Sequence, residues 1–323
     1  MNGITIRPAV ELSCPITTID RYRLAADAAK ATARTMTVAE YAARYATIRE
    51  IVSGTARQYV ITAALFERWA GRPVLLTELE ELLVSAWLRD YAVDHAPDTV
   101  RSKRNGLLAL WRAAADEYLC EPPSRRVRTA RTPWTPREAW TVDEVRQLLS
   151  TASALPRWHS CGLRRRDWWP LAIRLAWDTA LRWGDLVRLR VDHLDGDRFA
   201  ICQSKTGRPS SGRLNASTVA AIEESLLACP RAVLVPWPRS HETFTDQVRR
   251  LVAKSGVSPG SWKWLRRGSG SNVEGKSPGR GMAARVLGHS PTSRIAEINY
   301  IAPSIVAASA PTIQPDDLEL AKP

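Results

Sequence analysis

The side chains best suited to chemistry fall in three short stretches: ALRWGDL around Arg182, WKWLRRGS around Arg266, and VLGHSPTSRIAEINYI, which contains His289 and Tyr300. Their types favour work on an anion. An arginine fork is planar, always protonated, and pairs bidentately with phosphate. A tyrosine hydroxyl has a free pKa of about 10 and becomes a good nucleophile only where cations favour its phenolate. Other chemistries find little support. The five histidines are dispersed, and the nearest approach to a ligand pair, His159-Ser-Cys161, has no second half at zinc spacing. There is no phosphate-binding glycine loop and no ordered acidic triad after a strand, so neither metal nor cofactor is expected. The five cysteines are odd in number and scattered, which reads as reduced, structural thiols.

The elements that must position these stretches can be read from periodicity. Residues 1–35 show no sustained pattern and form an N-terminal arm. From 36 to 120, four amphipathic segments with apolar residues three and four apart predict a small helical bundle. The fourth is expected to be capped at Pro97-Asp98-Thr99 and carries Arg101, Lys103 and Arg104 ahead of its apolar residues, as candidate phosphate contacts. Residues 121–140 hold four prolines and five arginines against two glutamates, a basic linker whose Arg125, Arg126, Arg128 and Arg131 suit a duplex backbone. A second domain, 141–302, opens at Thr141 with capping-box spacing to Glu144. Turn signals at Asp195-Gly196 and Thr206-Gly207 predict a small antiparallel sheet. The glycine- and serine-rich run after Arg267 is expected to be a loop. A tail, 303–323, completes the chain.

Charge points the same way. The chain has 323 residues, 46 Lys+Arg against 33 Asp+Glu, and a net charge of +13, which ranks polyanions first as partners. Between Lys254 and Arg294 eight basic residues face one acid. No apolar run approaches the roughly 20 residues that cross a bilayer, and a soluble, cytoplasmic protein is expected.

In order and spacing, the motifs resemble the tyrosine recombinase family, which includes the phage integrases. An arginine motif of the type T-G/A-L-R-x-x-E/D-L corresponds to Thr179-Ala-Leu-Arg182-Trp-Gly-Asp185-Leu; a hairpin lysine to Lys205; an H-x-L-R box to Lys263-Trp-Leu-Arg266; a Leu-Gly-His triplet to Leu287-Gly-His289; and the tyrosine to Tyr300. The resemblance covers about 141–300, and the bundle before it looks like the family's core-binding domain. It implies a mainly α fold with a small antiparallel β-sheet: an N-terminal helical core-binding domain of the SAM-like kind and an α+β catalytic domain.

The resemblance also implies roles. Arg182 and Arg266 would clamp two nonbridging oxygens of a DNA phosphodiester, with His289 donating a further hydrogen bond. Tyr300 would attack phosphorus and stay joined to the 3′ end, and Lys205 would protonate the departing 5′ oxygen. Arg267 would add a DNA contact, and Asp185 would orient Arg182 or cap its helix. The chain departs from the family pattern in having Lys263, a binding cation, where histidine is usual, in its glycine-rich run, and in a longer His289 to Tyr300 spacing. The expected function is site-specific recombination of double-stranded DNA by a homotetramer on synapsed sites, as in integration of a mobile element. Two alternatives stay open: a DNA-binding protein of the same ancestry that has lost catalysis, and a type IB topoisomerase.

Overall fold

The structure is a computed structural model that describes residues 31, 35–124, 127, 135–277, 281–290 and 294–309. The chain divides into two compact units, Met1–Trp134 and Thr135–Pro323.

The first unit is built from α1 (Val38–Ile48), α2 (Ser53–Ala70), α3 (Glu81–Asp94) and α4 (Pro97–Asp116). Thr37 starts α1 with a capping box, its hydroxyl accepting from Glu40 N while the Glu40 carboxylate accepts from Thr37 N. Gly71 ends α2 in the left-handed conformation, with φ of 71°. The apolar stripes meet in one core around Tyr41, Phe66, Trp87, Leu107, Leu108 and Trp111.

Two expectations change here. No side chain caps α4: its N-cap is Ala96, and Pro97 at the first helical position has no N–H to satisfy. Lys103 is not an open contact on a basic helix end. It shares the face of Val100 and Leu107, is buried, and donates from Nζ to Gln58 Oε1 at 3.3 Å.

The second unit runs α5 (Val142–Ser153), α6 (Arg165–Thr179), α7 (Trp183–Leu186), β1 (Leu194–Asp195), β2 (Arg198–Cys202), β3 (Pro209–Arg213), α8 (Ala216–Ala228), α9 (His241–Ser255), α10 (Lys263–Lys276), α11 (Met282–Val286), α12 (Arg294–Tyr300) and α13 (Pro303–Ser309). The capping box of Thr141 and Glu144 is present at the start of α5. α6 is the central helix, burying Trp168, Trp169, Ile173, Leu175 and Ala176. It stops at Ala180, an alanine in the left-handed region with φ of 47°. The three strands form an antiparallel sheet in the order β1-β2-β3, with Ala200 opposite Ser211. Positive φ at Gly196 and Gly207 makes the two turns, as their dipeptides predicted.

The glycine-rich run after Arg267 is helical as far as Lys276 rather than a loop, and its residues 278–280 lie outside the described residues. Gly268, Ser269, Gly270 and Ser271 lie inside α10, and all four are buried. The glycines allow close packing: a Cβ on Gly268 would collide with the Trp140 carbonyl oxygen and come within 2.8 Å of the Trp177 ring, and one on Gly270 would sit 3.1 Å from Leu287 Cδ1. The start of the tail packs in cis, with α13 against α10 and Ala302 N donating to Ser271 Oγ at 2.8 Å.

Candidate functional site

A cavity of about 550 Å³ in the second unit is lined by Arg182, Lys205, Lys263, Arg266 and Tyr300, five of the six residues proposed to do chemistry. Each arrives on a different element. Arg182 is the N-cap residue of α7, aimed by the left-handed turn at Ala180. Lys205 sits in the β2–β3 turn, Lys263 and Arg266 one turn apart on α10, and Tyr300 at the end of α12. His289 follows α11, and its ring centroid is 5.4 Å from that of Tyr300.

Arg266 is the structural hub. It is only 4% exposed and donates to the carbonyl oxygens of Ala180 and Leu287, tying the turn before Arg182 to the turn before His289. Its guanidinium lies 4.9 Å from the Tyr300 ring centroid, and Lys263 Nζ 5.1 Å from it. Burial pushes the Arg266 pKa down to about 10, with the field of Arg182 adding to the fall and that of Tyr300 opposing it. At neutral pH the guanidinium still keeps its proton.

The tyrosine feels the reverse balance. Burial raises its pKa, but the fields of Arg266, Lys263 and Arg182 outweigh that and hold it below the ordinary phenol value. Burial, aided by the nearby arginines, depresses Lys263 against the pull of Tyr300. His289 is pushed down to about 4, first by burial and then by Arg266, Arg182 and Arg208. It is therefore a neutral imidazole at pH 7, able to donate one N–H, and its Nε2 is buried with no partner.

Two residues behind the cations were not legible as parts of the site. Gln203 is buried, and its Oε1 accepts from Arg182 Nη1 at 2.5 Å and from Thr206 Oγ1 at 3.2 Å. Gly288 packs so tightly against it that a Cβ there would collide with Gln203 Nε2. The only sequence signal was its place just ahead of Ser204-Lys205. Asp185 does not orient Arg182. Its Oδ1 accepts from Ser204 N at 2.8 Å and Ser204 Oγ at 2.7 Å, so it fixes the turn that carries Lys205. The inner wall of the cavity is aromatic, with Trp183 stacked on Phe244 at 3.4 Å and Trp262 edge-on to both.

The proposed DNA contacts fare differently. Arg267 does not line the cavity and donates to the Glu138 carbonyl oxygen at 3.2 Å. In the first unit, Arg101 pairs with Asp98 at 2.6 Å, Lys103 is buried as described, and Arg104 donates to the Val127 carbonyl oxygen. Arg125, Arg126, Arg128 and Arg131 lie outside the described residues. Among the described residues no group of three or more His, Cys, Asp or Glu could hold a metal ion, and no helix is long and apolar enough to cross a membrane.

The chain has the fold of solved integrases and site-specific recombinases. Lambda integrase residues 75–356 bound to DNA superpose with a TM-score of 0.64 at 22% identity, over 82% of this chain and 96% of that one. A lambda integrase tetramer bound to a Holliday junction gives 0.65 at 22% identity, over 85% of this chain and 79% of that one. The XerH site-specific recombinase bound to a palindromic difH substrate gives 0.58 at 16% identity, over 75% of each chain. No protein-family model and no curated protein sequence matches the chain.

Proposed function

We propose that this protein is a site-specific DNA recombinase that cuts and rejoins duplex DNA through a 3′-phosphotyrosyl intermediate on Tyr300. The observation that carries this reading is the placement of Tyr300 against Arg266 and Lys263, at the wall of the cavity that also receives Arg182 and Lys205. In the forward step Tyr300 Oη forms a bond to phosphorus while the bond from phosphorus to the 5′ oxygen breaks, and Lys205 gives that oxygen its proton. Tyr300 gives its phenolic proton to solvent water as the new bond forms, its phenolate favoured by the fields of Arg266, Lys263 and Arg182. Arg182, Arg266 and the N–H of neutral His289 stabilise charge on the nonbridging oxygens. Religation reverses these steps, and the covalent link conserves the bond energy.

The partner on this reading is double-stranded DNA, and the working form is a homotetramer on two synapsed sites, as the lambda integrase tetramer on a Holliday junction suggests by its similar fold. The test is a duplex nicked close to the cleaved phosphate, which traps the intermediate because the short 5′ fragment diffuses away. An active protein becomes covalently attached to DNA. Binding without attachment would favour the decayed, binding-only reading.

A further inference from the structure

A second cavity of about 460 Å³ lies across α9 from the first. His241, Phe244, Thr245 and Val248 face the Tyr300 cavity, while Thr243, Gln247 and Arg250 face this one. Four arginines surround it: Arg157, Arg165, Arg239 and Arg250, with the exposed Trp158 at the edge. Its single carboxylate, Asp246, is paired with Arg249 at 2.8 Å. Among the described residues none of the four arginines is in an ion pair. Arg165 donates to Gln247 Oε1 at 2.6 Å. Burial lowers its pKa, and the fields of Arg157, Arg250 and Arg239 lower it further, the mark of cations crowded without counter-charge.

The chain spends conformational energy on this arrangement. Arg157 has φ of 79°, a left-handed conformation that costs a non-glycine residue on the order of 1–3 kcal/mol. It is held there by a loop closed through the Trp158–Arg164 bridge and the bond from Arg165 N to the Arg157 carbonyl oxygen at 3.0 Å. Uncompensated guanidinium groups around a concave surface are built to receive phosphate, which they can bind bidentately.

We propose that this cavity is a phosphate subsite that grips the backbone of the same duplex whose phosphate reaches Tyr300. The inference rests on the DNA reading above. An α-helix with its side chains is about 10–12 Å across, so the two cavities are separated by roughly one helix width. Duplex DNA carries a negative charge per about 1.7 Å of its axis, so a duplex seated at Tyr300 brings further phosphates within that reach. The arginines would contribute grip and register rather than chemistry.

The test compares two triple variants of the full chain in salt titrations of binding to a fluorescein-labelled duplex of arbitrary sequence. Arg157→Gln/Arg239→Gln/Arg250→Gln removes three exposed members of the cluster. Arg146→Gln/Arg198→Gln/Arg213→Gln removes the same charge from other exposed positions of the second unit. The slope of log K against log salt should fall by about 0.9 for each phosphate that the cluster variant no longer neutralises and stay near that of the unmodified protein in the other. Equal slopes in both variants would overturn the subsite. So would saturable binding of inorganic pyrophosphate that the cluster substitutions abolish while the DNA slope is unchanged, since the site would then serve a free phosphate ligand. Covalent attachment by the unmodified protein is read separately, and its absence would count against Tyr300 while leaving the slope comparison standing.

Discussion

Adding one methyl group at Gly268 should destabilise the second unit, although local propensity argues the opposite. In an exposed helix interior, replacing glycine by alanine gains about 1 kcal/mol. At Gly268 the new Cβ meets the Trp140 carbonyl oxygen and the Trp177 ring, which it would approach to 2.8 Å. The backbone at Trp140 cannot easily retreat: its ring is buried, its indole N–H is bonded to the Ser258 carbonyl oxygen at 2.9 Å, and Thr141 beside it caps α5. Overpacking of this kind costs about 1–3 kcal/mol, and contact with an immobile carbonyl belongs at or beyond the upper end. The net effect of Gly268→Ala is a loss of about 2 kcal/mol, which for a unit of this size lowers Tm by about 4–8 °C. Arg266 sits two residues earlier on the same helix, so trapping of the covalent intermediate should slow as α10 shifts. Gly54→Ala, where nothing lies within 4 Å, is the control and should leave Tm unchanged or slightly raised. Thermal unfolding followed by circular dichroism decides the matter. A Gly268→Ala protein as stable as the unmodified one would refute the packing argument for the glycine-rich helix.

Other outcomes follow from the same geometry. Lys263 helps hold Tyr300 below the ordinary phenol range, its Nζ 5.1 Å from the ring centroid, so Lys263→Ala should move the pH dependence of covalent attachment upward; an unmoved profile would remove Lys263 from that role. Gln203→Ala should slow attachment by about ten- to a hundredfold through loss of a charge-assisted bond to Arg182, Gln203→Glu should restore much of it, and DNA affinity should stay near that of the unmodified protein. His159 and His289 both have pKa values pushed down to about 4, chiefly by burial. Because the unfolded chain binds protons more readily there, the stability they contribute is present above about pH 6.5 and is lost as pH falls toward 4. Urea unfolding over that window should show it, and in His159→Gln/His289→Gln the slope should flatten.

What the sequence made legible divides along physical lines. Helices with a regular apolar stripe, the capping box at Thr141, the glycine turns and the Arg182 and Arg266 stretches all announce themselves locally, because spacing along the chain fixes which side chains share a face. The features that escaped depend on neighbours distant in sequence. Gly268 and Gly270 look like loop residues until Trp140, Trp177 and Leu287 are seen pressed against them. Lys103 looks like a surface cation, but the helical spacing from Val100 to Leu107 turns it inward. Gln203 carries no signature, since its importance lies in reaching Arg182, 21 residues away. Asp185 was noticed for the wrong partner, because only the folded hairpin brings Ser204 to its carboxylate.

Covalent attachment to a nicked duplex is the most direct measurement of the central claim. The unmodified protein should yield a protein–DNA adduct that survives denaturation and releases a DNA-linked peptide containing Tyr300 after proteolysis, with full yield in EDTA. Tyr300→Phe should bind the same duplex with unchanged affinity and yield no adduct. An adduct that persists in Tyr300→Phe, or that maps to another residue, would contradict the account, as would cleavage that leaves no protein attached to DNA.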